Sequence, residues 1–199
     1  MRSRGDEFML VIFEGINGSG KTTYAEELSK ITGAKIGKVF RASNNKLHWG
    51  DNSDLKDMLT DLKMPLNTHI DDLFMADFLS TFKVNAILDR TIVSAIAYGR
   101  TYGNLDGWYR EKNVVGKLIN FWSYLIDKCN HPILYVWLQV SYDAILKRCD
   151  GRWHPNKLEY DKLNKEYRRL FVRIQFPKII IPTEHKSVDS GLKRIINYI

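Results

Sequence analysis

The chain has 199 residues, enough for one domain with a sizeable core. Hydrophobic residues make up 44% and charged residues 27%, an ordinary globular composition, and no apolar run approaches bilayer-spanning length. The net charge of +7 suits anionic ligands, either nucleotides or nucleic acid, and serves solubility equally well.

Residues 1–8 (MRSRGDEF) do not join the strand pattern that follows. They read as a cloning scar or a disordered N-terminus, with native translation expected from Met9 and a single domain over residues 9–199. No secretory signal is visible. Cys129 and Cys149 form no short-spaced pair, which fits a reduced, cytoplasmic protein, and the five histidines lack zinc spacing, so no transition-metal site is expected.

The apolar run 9–13 reads as a buried strand. It leads into Gly15-Ile16-Asn17-Gly18-Ser19-Gly20-Lys21-Thr22, a G-x-x-x-x-G-K-T phosphate-binding loop, and residues 22–31 then show helical spacing. Strand, glycine-rich turn and helix start gather backbone N–H groups and the positive end of a helix dipole around one point. Gly15, Asn17, Gly18, Ser19, Gly20, Lys21, Thr22 and Thr23 are therefore the candidate nucleotide-binding residues. Lys21 can reach the β- and γ-phosphates of ATP and is expected to face solvent or ligand. The Thr22 hydroxyl can hold Mg²⁺.

Further on, residues 34–40 suggest a second strand, 42–52 a polar loop, and 53–62 and 68–82 two helices separated by Pro65. Residues 86–89 read as a third strand ending in a carboxylate, and 92–102 as a helix. A turn-rich stretch at 103–107 precedes an amphipathic helix at 114–128. The apolar run 133–138 is a fourth strand. Ser141 caps a helix to about Arg148, residues 149–157 form a polar loop, and 158–175 a charged helix. Residues 178–181 are a last strand stopped by Pro182, and 188–199 a closing helix. Strands alternating with helices predict an α/β fold: a five-stranded parallel sheet with helices on both faces, three layers in all.

Asp89-Arg90 falls where the third strand ends, the edge at which parallel sheets bind ligands. A carboxylate there can orient Mg²⁺ or accept a proton, and Arg90 can clamp a phosphate with two parallel hydrogen bonds.

These residues add up to a resemblance. F-E-G-x-x-G-S-G-K-T-T at Phe13 to Thr23 and D-R-x-x-x-S-x-x-A-Y at Asp89 to Tyr98 are similar to the motifs of thymidylate kinases. Phe40-Arg41, Leu73-Phe74-Met75-Ala76-Asp77, and the stretches 132–139 and 144–148 resemble further family segments in the same order. The resemblance implies a P-loop kinase fold with a short lid at about 149–158. It implies that Lys21 and the loop amides bind ATP, and that Thr22 and Asp89 serve the metal. Arg41 and Arg90 would bind the acceptor's phosphate, Phe74 would stack on its base, and Asp77, Phe78, Ser94 and Tyr98 would line its pocket. The family carries a catalytic arginine in the P-loop or the lid. Gly18 stands at the P-loop position, so the lid must supply it, with Arg152 the first choice and Arg148 the second; Arg148 reads equally as a helix C-terminal cation.

Three positions depart from the family pattern. Asn17 replaces the acid that contacts the sugar 3′-hydroxyl, Phe78 replaces a base-reading arginine, and Thr91 replaces an aromatic residue or histidine. All three are expected on the acceptor side, as in a divergent member of viral type, which would act in the host cytoplasm. The leading reading is a dTMP-like deoxynucleoside monophosphate kinase. The rival is a kinase acting on 5-hydroxymethyluracil in DNA, with Lys46, Trp49, Arg100, Trp108, Arg110 and Lys112 near a strand, and with Asp77 or Asp89 as general base. A third reading is a nucleotide-binding module without catalysis. A nucleotide substrate, DNA and a second copy of the chain (a homodimer) are the candidate partners; a membrane is not.

Overall fold

A computed structural model of the chain describes residues 9–37, 84–102, 120, 122–124, 127, 132–149, 154–184 and 187–198. Its centre is β1 (Leu10–Glu14), whose five residues are all buried. β1 pairs in parallel with β3 (Ala86–Asp89) on one side and with β4 (Ile133–Gln139) on the other. The edges are β2 (Lys35–Gly37) beside β3 and β5 (Lys178–Pro182) beside β4, giving the order β2-β3-β1-β4-β5 with every pairing parallel. The near-continuous apolar runs of β1 and β4 follow from this placement, since both faces of a central parallel strand are covered. The edge strands are more exposed.

Side chains alternate across the sheet. Val11, Phe13, Ile87, Leu134 and Val136 meet helices α1 (Lys21–Thr32) and α5 (Val188–Ile196) on one face. Leu10, Ile12, Leu88, Tyr135 and Trp137 meet α2 (Ile92–Tyr102) and α4 (Lys157–Arg173) on the other, joined by Trp122. The short α3 (Tyr142–Arg148) follows β4, capped by Ser141 as the sequence predicts. The three-layer α/β architecture with five parallel strands is as expected.

Boundaries shift for local reasons. The second strand is expected over 34–40; Lys35–Gly37 form it, Ala34 precedes it, and residues 38–40 lie outside the described residues. α4 begins and ends earlier than the expected 158–175. Asn156 and Glu159 close a reciprocal capping box at its start, and Ile174 turns extended at its end. Pro182 joins β5 as its last residue, a place on an edge strand where a missing N–H costs no ladder bond. α5 stops at Ile196, short of the expected 199. The expectations for 42–82 and 103–107, most of the helix at 114–128, and the middle of the lid at 150–153 lie outside the described residues. None of the described helices is long and apolar enough to cross a membrane.

Candidate active site

The carboxyl ends of β1 and β3 meet at the middle of the sheet, where the strand order turns from one side to the other, and the crevice there holds the glycine-rich loop. Gly15 leaves β1 with φ +148°, and a Cβ on it would come within 2.6 Å of the Leu138 carbonyl oxygen and 2.8 Å of Ser19 Oγ. Gly20, at φ +92°, opens α1 in the left-handed region that glycine enters without strain. The loop thus brings its amides and the α1 N-terminus to one concavity, a cradle for a polyphosphate.

Lys21, expected to face solvent or ligand, is only 6% exposed and so does not face solvent. Its Nζ donates to the Gly15 and Ile16 carbonyls, both at 2.9 Å, and to Ser19 Oγ at 3.3 Å. The reason is local: the loop wraps its own carbonyls around the ammonium, and these satisfy its protons. Burial, with Arg90 adding to it, drives the Lys21 pKa well below the ordinary range, while Asp89 and Glu14 oppose the shift. A bound phosphate would supply the missing counter-charge.

Thr22 Oγ1 donates to Asp89 Oδ2 at 3.0 Å, tying α1 to the end of β3. The other carboxylate oxygen, Asp89 Oδ1, is buried and has no hydrogen-bond partner among the described residues. A hydroxyl and a half-satisfied carboxylate beside a phosphate cradle are hard oxygen donors that fit Mg²⁺. Among the described residues no group of three His, Cys, Asp or Glu side chains converges.

Arg90 adopts φ +81°, strained for a side-chain-bearing residue, and its N–H bonds to the Phe13 carbonyl at 2.9 Å. Its guanidinium lies over the Tyr98 ring, 5.0 Å from the centroid, and donates to Asn17 Oδ1. The Asn17 N–H in turn donates to Tyr98 Oη at 2.9 Å. Burial opposes the Arg90 charge, but the surrounding Tyr98, Tyr167 and Asp89 outweigh it and raise the pKa further. A fixed guanidinium therefore stands beside the P-loop, braced by one of the three departing residues.

The other two predicted positions on this segment turn inward. Ser94 is buried, its Oγ lying 2.5 Å from Glu14 Oε2 and 2.8 Å from Tyr167 Oη. Thr91, expected on the acceptor side, is fully buried, and its hydroxyl donates to Glu14 Oε1, also at 2.5 Å. Glu14 itself is missed by the sequence reading. Its signal is an acid closing an otherwise apolar central strand. Burial lifts its pKa to about 7, against the lowering effects of Ser94, Thr91, Arg90 and Lys21.

Arg148, at the end of α3, donates to the Gly18 carbonyl at 3.3 Å and to Thr183 Oγ1 and O at 3.0 and 2.6 Å. It braces the back of the P-loop. Arg100, placed near a DNA strand by the sequence reading, is instead nearly buried and paired with Glu166 at 3.1 Å between α2 and α4. Thr23 is exposed on the first turn of α1. Arg41, Phe74, Asp77, Phe78 and Arg152 lie outside the described residues, as do Lys46, Trp49, Trp108, Arg110 and Lys112.

No family model matches the chain. Among curated proteins it is similar to a probable thymidylate kinase of Methanococcus aeolicus, 27% identical, with 94% of this chain and 93% of the relative covered. Another probable thymidylate kinase, from Methanocaldococcus jannaschii, is 26% identical over 96% and 95% of the two chains. Among solved structures, a deoxyadenosine kinase from M. mycoides with bound dATP superposes with a TM-score of 0.68 at 23% identity, covering 96% and 98%. The thymidylate kinase of Candida albicans does so with a TM-score of 0.64 at 21% identity, covering 96% and 92%. The structures speak for the fold and the curated relatives for the kinase class. Joined to the P-loop and the Asp89-Arg90 corner, these similarities make this chain a P-loop nucleotide kinase that resembles the thymidylate kinases.

Proposed function

We propose that the protein transfers the γ-phosphoryl group of ATP to a thymidine-type deoxynucleoside monophosphate. The observation that carries this reading is Arg90: a charged guanidinium held by Asn17 and Tyr98 next to the P-loop, where an acceptor phosphate would complete its hydrogen bonding. The P-loop amides and Lys21 hold the donor phosphates. Thr22 and Asp89 would hold Mg²⁺, which would supply neutralising charge to the donor phosphates. Lys21 leaves the loop carbonyls for the phosphate, and its proton is secured by that anion. An acceptor that is already anionic near neutral pH needs no general base, so catalysis here is positioning and charge stabilisation. Arg152, followed by Arg148, is the proposed cation for the transferring group; the bonds of Arg148 to Gly18 and Thr183 favour a bracing role for it.

Asn17 in place of an acid and Phe78 in place of an arginine favour loose reading of the sugar and base. An apolar pocket rejects an added hydroxyl by about 10²-fold at most. The curated relatives named as thymidylate kinases support dTMP as the reference acceptor. The test is transfer from γ-labelled ATP to dTMP, dUMP, 5-hydroxymethyl-dUMP, thymidine and DNA containing 5-hydroxymethyluracil. The expected result is labelled diphosphate from dTMP, with hydroxymethyl-dUMP within about 10²-fold in kcat/KM, and no label on thymidine or DNA. Label on thymidine or DNA with the monophosphates inert would overturn the assignment.

A further inference from the structure

Beneath the P-loop runs a line of buried oxygens that the proposed transfer does not use. Glu14 Oε2 lies 2.5 Å from Ser94 Oγ, Ser94 Oγ lies 2.8 Å from Tyr167 Oη, and Tyr167 Oη lies 3.1 Å from the Gly15 carbonyl oxygen. That carbonyl also accepts from Lys21 Nζ at 2.9 Å. The line joins β1, α2, α4 and the loop, and it ends on the side chain that must take the phosphate.

Three contacts along this line need three protons. Ser94 and Tyr167 bring one each, and the Gly15 carbonyl brings none. With Glu14 ionised, one pair of oxygens would face each other, lone pair to lone pair, in a buried site. A proton on Glu14 Oε2 completes the count. The other carboxyl oxygen is then the carbonyl of an acid, and its partner agrees: the Thr91 hydroxyl donates to Oε1 at 2.5 Å. We infer that Glu14 is a positioning residue that works in its neutral form: it donates to Ser94, Ser94 to Tyr167, and Tyr167 to the Gly15 carbonyl that holds Lys21.

The groups facing Glu14 are Arg90 from the β3–α2 junction, Lys21 from α1, Tyr135 from β4 and Tyr167 from α4. The two cations favour the carboxylate. Burial outweighs them and places the titration at about 7. Both tyrosines are raised by burial and keep their protons, and Tyr167 uses its proton as the donor in this line. As pH rises through the Glu14 titration, the line loses its third proton and the Gly15 carbonyl loses its fixed donor, so Lys21 is no longer held on one trajectory.

This inference rests on the nucleotide-kinase reading, and its test includes readouts that need no acceptor. The kcat of the wild type, Glu14→Gln, Glu14→Ala and Tyr167→Phe is followed against pH with the best acceptor found. MgADP affinity is followed in parallel by calorimetry, and the Glu14 carboxyl by ¹³C NMR. The wild type should lose about tenfold in kcat per pH unit above about pH 7. Gln reproduces the neutral acid, with an amide donor for Ser94 and a carbonyl for Thr91. It should stay within about threefold of wild type at mildly acid pH and exceed it at alkaline pH, its limb flattened. Ala should lose about tenfold or more throughout, and Phe at position 167 should flatten the limb at reduced kcat. The NMR titration should show a protonated carboxyl below neutral pH, and MgADP affinity should weaken along the same curve in the wild type alone. An ionised Glu14 at mildly acid pH overturns the inference whatever the acceptor. So does the same alkaline limb in wild type and the Gln variant, which would assign that limb to Lys21. If no monophosphate is phosphorylated, the acceptor assignment fails while the NMR and MgADP curves still decide the role of Glu14.

Discussion

On the α1–α5 face of the sheet the packed side chains are apolar apart from the Tyr24 hydroxyl, whereas the α2–α4 face buries Glu14, Thr91, Ser94, Tyr135 and Tyr167 under the P-loop. The first face holds α1 at a fixed height above the sheet through contacts such as Phe13 with Tyr24 and Leu28 with Leu192 in one cluster. Its stability comes from area removed from water and is tolerant in geometry. The second face buries polar groups that cost stability unless every proton has a partner. Buried oxygens aligned on the loop that carries Lys21 serve positioning, which apolar packing alone cannot supply.

The comparison breaks most sharply at Lys21. Lys21→Ala should lower phosphoryl transfer by at least about 10²-fold, read as kcat/KM. Among the described residues its Nζ bonds to atoms of the loop alone, so the thermal midpoint should move little. Leu28→Ala, on the apolar face, should do the reverse. Leu28 is 1% exposed, and its truncation should cost about 2–5 kcal/mol by denaturant titration with the kcat–pH profile unchanged.

Glu14 sharpens the contrast through pH. The folded carboxyl keeps its proton to about 7, while the unfolded chain releases it near the ordinary 4.5. The native state therefore holds the extra proton between those values. Its stability falls as pH rises through that window and is flat above it, by up to about 3 kcal/mol. Glu14→Gln should remove this fall, so the difference between the two unfolding free energies should shrink or invert from pH 4.5 to 7. A smaller effect is expected at Arg148, whose loss removes the bonds to Gly18 and Thr183. Arg148→Ala should raise KM for ATP severalfold with kcat changed less, since a brace behind the loop acts on ground state and transition state alike.

Much of this fold is legible in the sequence because the central strands are buried on both faces and therefore read as unbroken apolar runs. The P-loop and Asp89 are legible because phosphate chemistry demands those residue types at fixed spacing. Glu14 is not, since its partners Thr91 and Ser94 stand 77 and 80 residues away and Gly15 is reached through a tyrosine 152 residues on. Nothing local to β1 announces them. The burial of Lys21 is hidden for a related reason: its partners are backbone carbonyls, which every sequence carries. Arg100 looks like a surface cation until α2 and α4 are packed together and Glu166 comes beside it. Asn156 and Glu159 do carry a capping-box spacing, and the start of α4 could have been read from it.

In the proposed reaction Arg90, braced by Asn17 and Tyr98, receives the phosphate of the acceptor beside the P-loop that holds ATP. The most direct measurement is steady-state kinetics of Arg90→Ala with dTMP varied at saturating MgATP, and with MgATP varied at saturating dTMP. The account predicts a loss of about 10²-fold or more in kcat/KM for dTMP, with the KM for MgATP within about threefold of wild type. An unchanged kcat/KM for dTMP, or a loss confined to MgATP, would contradict it.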